Sequence, residues 1–105
     1  MASVAFLREN GDRFSFSADE LEAVTRATAV ARAWAAENGF ETVSFIAREG
    51  EPLRFHVRIG EEAPLNAWVD GVLFAQGKTD ELETVLDFAR GEHRRRMAGY
   101  DHYDR

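Results

Sequence analysis

Between Leu53 and Ile59 the side chains alternate without a break: Leu53, Phe55, Val57 and Ile59 are apolar, and Arg54, His56 and Arg58 between them are basic. A period of two over seven residues marks a β-strand with one face toward a core and the other toward water. The preceding stretch repeats the pattern. In Thr42–Arg48, Val43, Phe45 and Ala47 alternate with Thr42, Ser44, Ile46 and Arg48, and Glu49-Gly50 turns the chain before Pro52 opens the next strand. The segment 42–75 therefore reads as successive short strands whose outer side carries Ile46, Arg48, Arg54, His56, Arg58 and Trp68.

Turn signals extend the sheet in both directions. Asn10-Gly11 lies between Val4–Glu9 and Arg13–Phe16 and predicts an N-terminal hairpin. A three-residue loop, Asn10-Gly11-Asp12, sets Glu9 opposite Arg13 and places Val4, Phe6, Phe14 and Phe16 on one face. Gly60-Glu61-Glu62-Ala63-Pro64 reads as a loop. Asp70-Gly71 predicts a second hairpin, with Leu65, Ala67, Val69, Val72 and Phe74 inside and Asn66, Trp68, Leu73 and Ala75 outside.

Two segments carry helical periodicity. Ser17 and Glu20 form a capping box ahead of a helix from about Ala18 to Asn38, with Leu21, Val24, Ala27, Ala31 and Trp34 on one face and Gly39 at its stop. Thr79 caps a second helix over about Asp80 to Met97, buried through Leu82, Val85, Leu86, Ala89, His93 and Met97. Acids load its first turn and Arg94, Arg95 and Arg96 its last, each complementing the helix dipole. Gly91 interrupts this helix at a cost of about 1 kcal/mol relative to Ala, so a bend or stop is expected there.

The expected fold is α+β: an antiparallel sheet of about five to six short strands with two helices, in the order ββαββββα, packed mainly on one face. Residues 1–98 are expected to form a single compact domain and 99–105 a flexible tail, since 105 residues is near the commonest domain size. An acidic echo, Asp19–Val24 and Asp80–Val85, raises the alternative of two ββα units. From the first helix onward, the order α-β-β-β-α is similar to that of double-stranded RNA-binding domains, but the second helix begins acidic where a phosphate contact needs bases.

Composition narrows the function classes. The chain has no cysteine, so disulfides and thiolate metal sites are excluded. No apolar run approaches the roughly 20 residues that span a bilayer, and the start lacks a basic leader, so a cytoplasmic location is expected. Twelve arginines stand against one lysine, a bias that goes with GC-rich bacterial or phage genomes. Residues 1–89 carry a net charge of −8 and residues 90–105 a net +2. An acidic body slows encounter with phosphate backbones and suits a protein partner better than nucleic acid.

No catalytic, metal-binding or cofactor motif stands out, and no cofactor is expected. Glu92, His93, Asp101 and His102 match no standard metal spacing. His56 between two arginines, with Glu49 and Glu51 near the adjoining turn, supplies the residue types of a small ribonuclease: base, acid and phosphate-binding cation. Arg54 and Arg58 with Arg94–Arg96 supply those of a nucleic-acid interface. The favoured expectation is a non-catalytic protein-binding module, with homodimerisation as a variant and no membrane partner. Ile46, Trp68 and Leu73 form its apolar centre, and Arg48, Arg54, His56 and Arg58 surround it. In size and charge the chain is similar to small acidic bacterial or phage inhibitors, anti-CRISPR-type proteins among them. That similarity implies an accessory, regulatory or inhibitory role.

Overall fold

The computed structural model describes residues 2–48, 50, 53–60, 67–76 and 79–103, except for the side chains of 75, 76 and 95–103. Strands β1 (Ser3–Arg8), β2 (Thr42–Arg48), β3 (Arg54–Ile59) and β4 (Ala67–Asp70) form one sheet in the order β1-β2-β3-β4. Helix α1 (Leu21–Asn38) joins β1 to β2, and α2 (Val72–Gln76) and α3 (Thr79–Tyr103) follow β4. The fold is α+β, but the sheet is mixed and has four strands: β1 runs parallel to β2, and the other neighbours are antiparallel.

Both expected hairpins resolve differently. Residues 13–16 do turn back after Asn10-Gly11, but their backbone pairs with β1 only at an isolated Leu7–Arg13 bridge and they do not become a strand. Glu9 pairs with Arg48, at 3.4 Å, rather than facing Arg13. What wins is the aromatic packing. Phe6 stacks on Phe45 of β2, and Phe14 and Phe16 fold over the inner face against Phe55. Six phenylalanines (6, 14, 16, 45, 55 and 74) form this cluster, with centroids 4.9 to 6.1 Å apart. The shared inner side of Val4, Phe6, Phe14 and Phe16 is retained, all four packing against the core. With residues 13–16 out of the sheet, β1 pairs directly with β2, and a parallel pair requires a crossover, which α1 provides.

At the second turn the chain becomes helical. The Asp70 carboxylate accepts the Val72 N–H at 3.1 Å, the Phe74 N–H bonds to Gly71 O at 3.1 Å, and α2 forms where a strand is expected. Gly71 fits closely here: a Cβ would meet Leu53 Cδ2 and Leu53 O at 3.2 Å, tight enough that Leu53 would have to give way by a few tenths of an ångström. The change of element reverses the expected sidedness. Leu73, expected on the outer face, is only 4% exposed, whereas Val72, expected inside, is 49% exposed. Leu65 and Asn66 lie outside the described residues.

The helices form where their signals predict. A 3₁₀ turn, Ala18–Glu20, leads into α1 behind the Ser17–Glu20 capping box. The Glu20 carboxylate accepts from the Ser17 hydroxyl at 2.6 Å and from its N–H at 3.1 Å. Gly39 ends α1 at φ 76°, in the left-handed region that glycine enters without steric cost. Leu21, expected in the core, is exposed, while Ala23 and Ala35 join Val24, Ala27, Ala31 and Trp34 among the buried residues. The helix expected over about Asp80 to Met97 runs on as α3 through Gly91 to Tyr103. No ββα duplication is present: β1 leads directly through α1 to its parallel neighbour, and α3 follows another helix.

The inner strand residues Val43, Phe45, Ala47, Phe55, Val57, Ile59, Ala67 and Val69 share one core with Trp34, Leu73, Phe74, Leu82 and Leu86. Between α1 and α3, the Trp34 indole N–H donates to Asp87 at 2.9 Å, and Arg90 donates to Asn38. The helices thus form one layer on one side of the sheet, and the other side of the sheet carries none of this core.

Candidate functional site at the outer sheet face

Strand register decides which side chains meet on that outer side. Leu7 lies opposite Ile46, Ile46 opposite His56, and His56 opposite Trp68. One row therefore crosses all four strands. A second row holds Arg48, Arg54 and Asp70, and a third holds Ala5, Ser44 and Arg58. Cross-strand neighbours on one face lie about 5 Å apart, within side-chain contact. Of the seven residues expected at this face, six are brought together: Ile46, Arg48, Arg54, His56, Arg58 and Trp68. Leu73 is in the core and takes no part.

Leu7 belongs to the row and was missed. It alternates correctly with Phe6 and Arg8, but a hairpin with residues 13–16 separates β1 from Ile46. Parallel pairing of β1 with β2 brings the two together, and no local signal announces that pairing. Trp68 is 47% exposed, well outside the range of core residues. The Arg54 guanidinium carbon lies 4.6 Å from the Trp68 ring centroid, a cation–π contact worth about 0.5–1 kcal/mol at an exposed site.

Charge is distributed unevenly across the face. Arg48 and Arg54 are direct cross-strand partners, a like-charge pair that costs free energy unless relieved. Glu9 relieves Arg48 on one side, and Asp70 lies opposite Arg54 on the other. The Arg48–Glu9 pair is too exposed to contribute much. The Nε of Arg58 is shielded from solvent and has no hydrogen-bond acceptor among the described residues. A buried, unmatched donor costs about 1–3 kcal/mol.

The residues of the other expected chemistries fall only in part among the described residues. The acids expected beside His56, Glu49 and Glu51, lie outside the described residues. Asp70 stands one row away, opposite Arg54. Arg94 is on α3, in the helical layer, whereas Arg54 and Arg58 are on the opposite side of the sheet. The side chains of Arg95 and Arg96 lie outside the described residues. His93 meets Phe40 edge-on at 5.8 Å, in a groove with Thr42, Ile59 and Gly60, away from His56. Among the described residues no three His, Asp or Glu side chains gather as a metal site, and no helix is long and apolar enough to cross a membrane.

No known protein family, curated protein or solved structure matches the chain.

Proposed function

We propose that the protein is a non-catalytic binding module whose outer sheet face docks another protein, in an accessory, regulatory or inhibitory role. The observation that carries this reading is the row Leu7–Ile46–His56–Trp68, half-buried at its first three members and exposed at Trp68, flanked by Arg48, Arg54 and Arg58 on the face of the sheet away from the core. A half-exposed tryptophan beside aliphatic side chains and arginines has the composition of an interface centre. The complementary partner surface presents apolar side chains ringed by carboxylates. A carboxylate seated near Arg58 also supplies an acceptor for a guanidinium that lacks one for its Nε.

The test is capture of a partner by the folded chain, compared across four proteins. The wild type and Arg32→Glu, a charge reversal on the exposed side of α1, retain the partner. Trp68→Ala and Arg58→Glu lose it while their circular dichroism is unchanged. Equal capture by all four removes the outer face as the binding surface. Degradation of RNA by the wild type that stops in His56→Ala replaces this reading with a nuclease.

A further inference from the structure

Beside β1 the antiparallel pairing opens after one step. Residues directly opposite each other in a hydrogen-bonded antiparallel pair exchange two backbone bonds. The Phe14 N–H donates to Phe6 O at 3.0 Å, but the reciprocal bond is not made, and the pairing stops at the Leu7–Arg13 bridge. The Phe6 N–H points the same way as its carbonyl, off the edge of the sheet, and no described residue accepts from it. Ring packing drives the opening. Phe16 leaves the path of a strand to set its ring edge-on to Phe6 at 5.1 Å and to Phe14 at 5.0 Å. The two backbones splay apart, and a wedge opens between them.

A cavity of about 190 Å³ occupies this wedge, lined by Val4, Ala5, Phe6, Arg13, Phe14 and Phe16. Its apolar walls, Val4, Phe6, Phe14 and Phe16, pack on the core, yet all four are only half-buried. An apolar cavity of roughly 150 Å³ is enough to hold one benzene ring. Charge enters from one residue. Arg13 is exposed, and its side chain makes no ion pair or hydrogen bond with a described residue. The acids near it in the chain are engaged elsewhere: the Asp12 carboxylate accepts from Asn10 Nδ2 at 3.1 Å, and Glu9 pairs with Arg48.

We infer that this cavity binds a small aromatic acid, with its ring against Val4, Phe14 and Phe16 and its carboxylate on the Arg13 guanidinium and the Phe6 N–H. The three features call for one ligand chemistry. Phenylalanine walls favour an aromatic guest, which gains ring–ring contacts beyond plain burial. The volume admits about one ring. The polar groups at the opening are both donors, and a guanidinium fork with one N–H beside it matches the two oxygens of a planar carboxylate. The surrounding charge points the same way. Residues 1–89 carry a net −8, which repels a phosphate more strongly than a singly charged acid. The inference does not depend on the outer-face reading, since none of the seven residues expected at that face lines the cavity.

Titration of the isotope-labelled full chain with phenylacetate, followed through its backbone amide signals by NMR, tests it. The Phe6 amide should shift most, and downfield, as its N–H gains an acceptor, with Arg13 and Phe14 moving alongside. The shifts should saturate with a Kd of about 1 mM or tighter. Arg13→Gln should weaken binding by about tenfold and leave the denaturation midpoint unchanged, because that side chain has no described partner to lose. Phenethyl alcohol, which keeps the ring without the charge, and acetate, which keeps the charge without the ring, should each bind at least about tenfold more weakly. Trp68→Ala, on the outer row, should bind phenylacetate as the wild type does. The absence of saturable shifts at about 10 mM phenylacetate overturns the inference. So does Arg13→Gln binding as tightly as the wild type, either fragment binding as well as the whole acid, or shifts centred on Ile46, His56 and Trp68 that Trp68→Ala abolishes.

Discussion

Phe55 and His56 are adjacent in one strand and occupy different media. The Phe55 ring is fully buried among Phe6, Phe14, Phe16 and Phe74, while His56 is half-buried on the opposite face of the strand. The same contrast holds along β2, where Phe45 is buried and Ile46 is not. One pleat thus carries two sets of constraints. On the inner face, volume and shape decide what fits. On the outer face side chains are half-buried or exposed, and volume constrains them less. The largest expected effect breaks the inner side. Phe55→Ala should destabilise the protein by about 3–5 kcal/mol in chemical denaturation, the usual range for emptying an aromatic site. Ile46→Ala, one strand away on the outer face, should cost well under half as much. Equal losses would mean that the outer face is covered in solution, and the contrast would fail.

The two tryptophans repeat the comparison with a single side-chain type. Trp34 is 6% exposed, stacks on Phe40 at 5.7 Å and donates to Asp87 across the helical layer. Trp68 is half exposed, beneath Arg54. Trp34→Phe should cost about 1–2 kcal/mol, from lost ring volume and a lost hydrogen bond. Trp68→Phe should cost about 0.5 kcal/mol or less, because little burial and a weaker cation–π contact are at stake. Trp34→Phe also leaves Trp68 as the only tryptophan. Its emission should be red-shifted and readily quenched by acrylamide, and blue-shifted when a partner covers the outer face. A blue emission in the isolated monomer would show the ring already buried.

The pattern of legibility follows the range of the forces involved. The alternation of β2 and β3, the Ser17–Glu20 cap and the Gly39 stop were legible because each depends on neighbours within a few residues. Six of the seven expected outer-face residues came from that same short-range period. The errors arose where distant packing outweighed local preference. Asn10-Gly11 does turn the chain, but beyond a single Leu7–Arg13 bridge the phenylalanines that follow pack on the core instead of extending a ladder with β1. Asp70-Gly71 reads as a hairpin turn, yet the Asp70 carboxylate starts a helix and so moves Leu73 inside. Gly91 reads as a bend or stop, and of the two the stop does not occur: α3 continues past it. Parallel pairing of β1 with β2, and with it the place of Leu7 in the row, depends on contacts some forty residues apart, which no local window contains.

The smallest expected effect tests how the covering layer is attached. The Glu20 carboxylate accepts hydrogen bonds from the Ser17 hydroxyl and then from the Ser17 N–H, and these hold its pKa below the ordinary value of 4.5. A carboxylate depressed on folding adds stability that is fully present above its unfolded pKa. That stability is lost as pH falls through 4.5 toward the folded value. Ser17→Ala removes the larger of the two causes. It should lower stability at neutral pH by about 0.5–2 kcal/mol, toward the low end because the site is exposed. The gap between variant and wild type should then narrow as the solution is acidified through the carboxylate range, because protonated Glu20 no longer rewards the hydroxyl. Outer-face substitutions such as Trp68→Phe leave this cap untouched, so their small cost should not change over that window. If the Ser17→Ala gap stayed constant on acidification, the hydroxyl would be acting on the helix backbone and not through the carboxylate, and the acid-sensitive part of this joint would lie elsewhere.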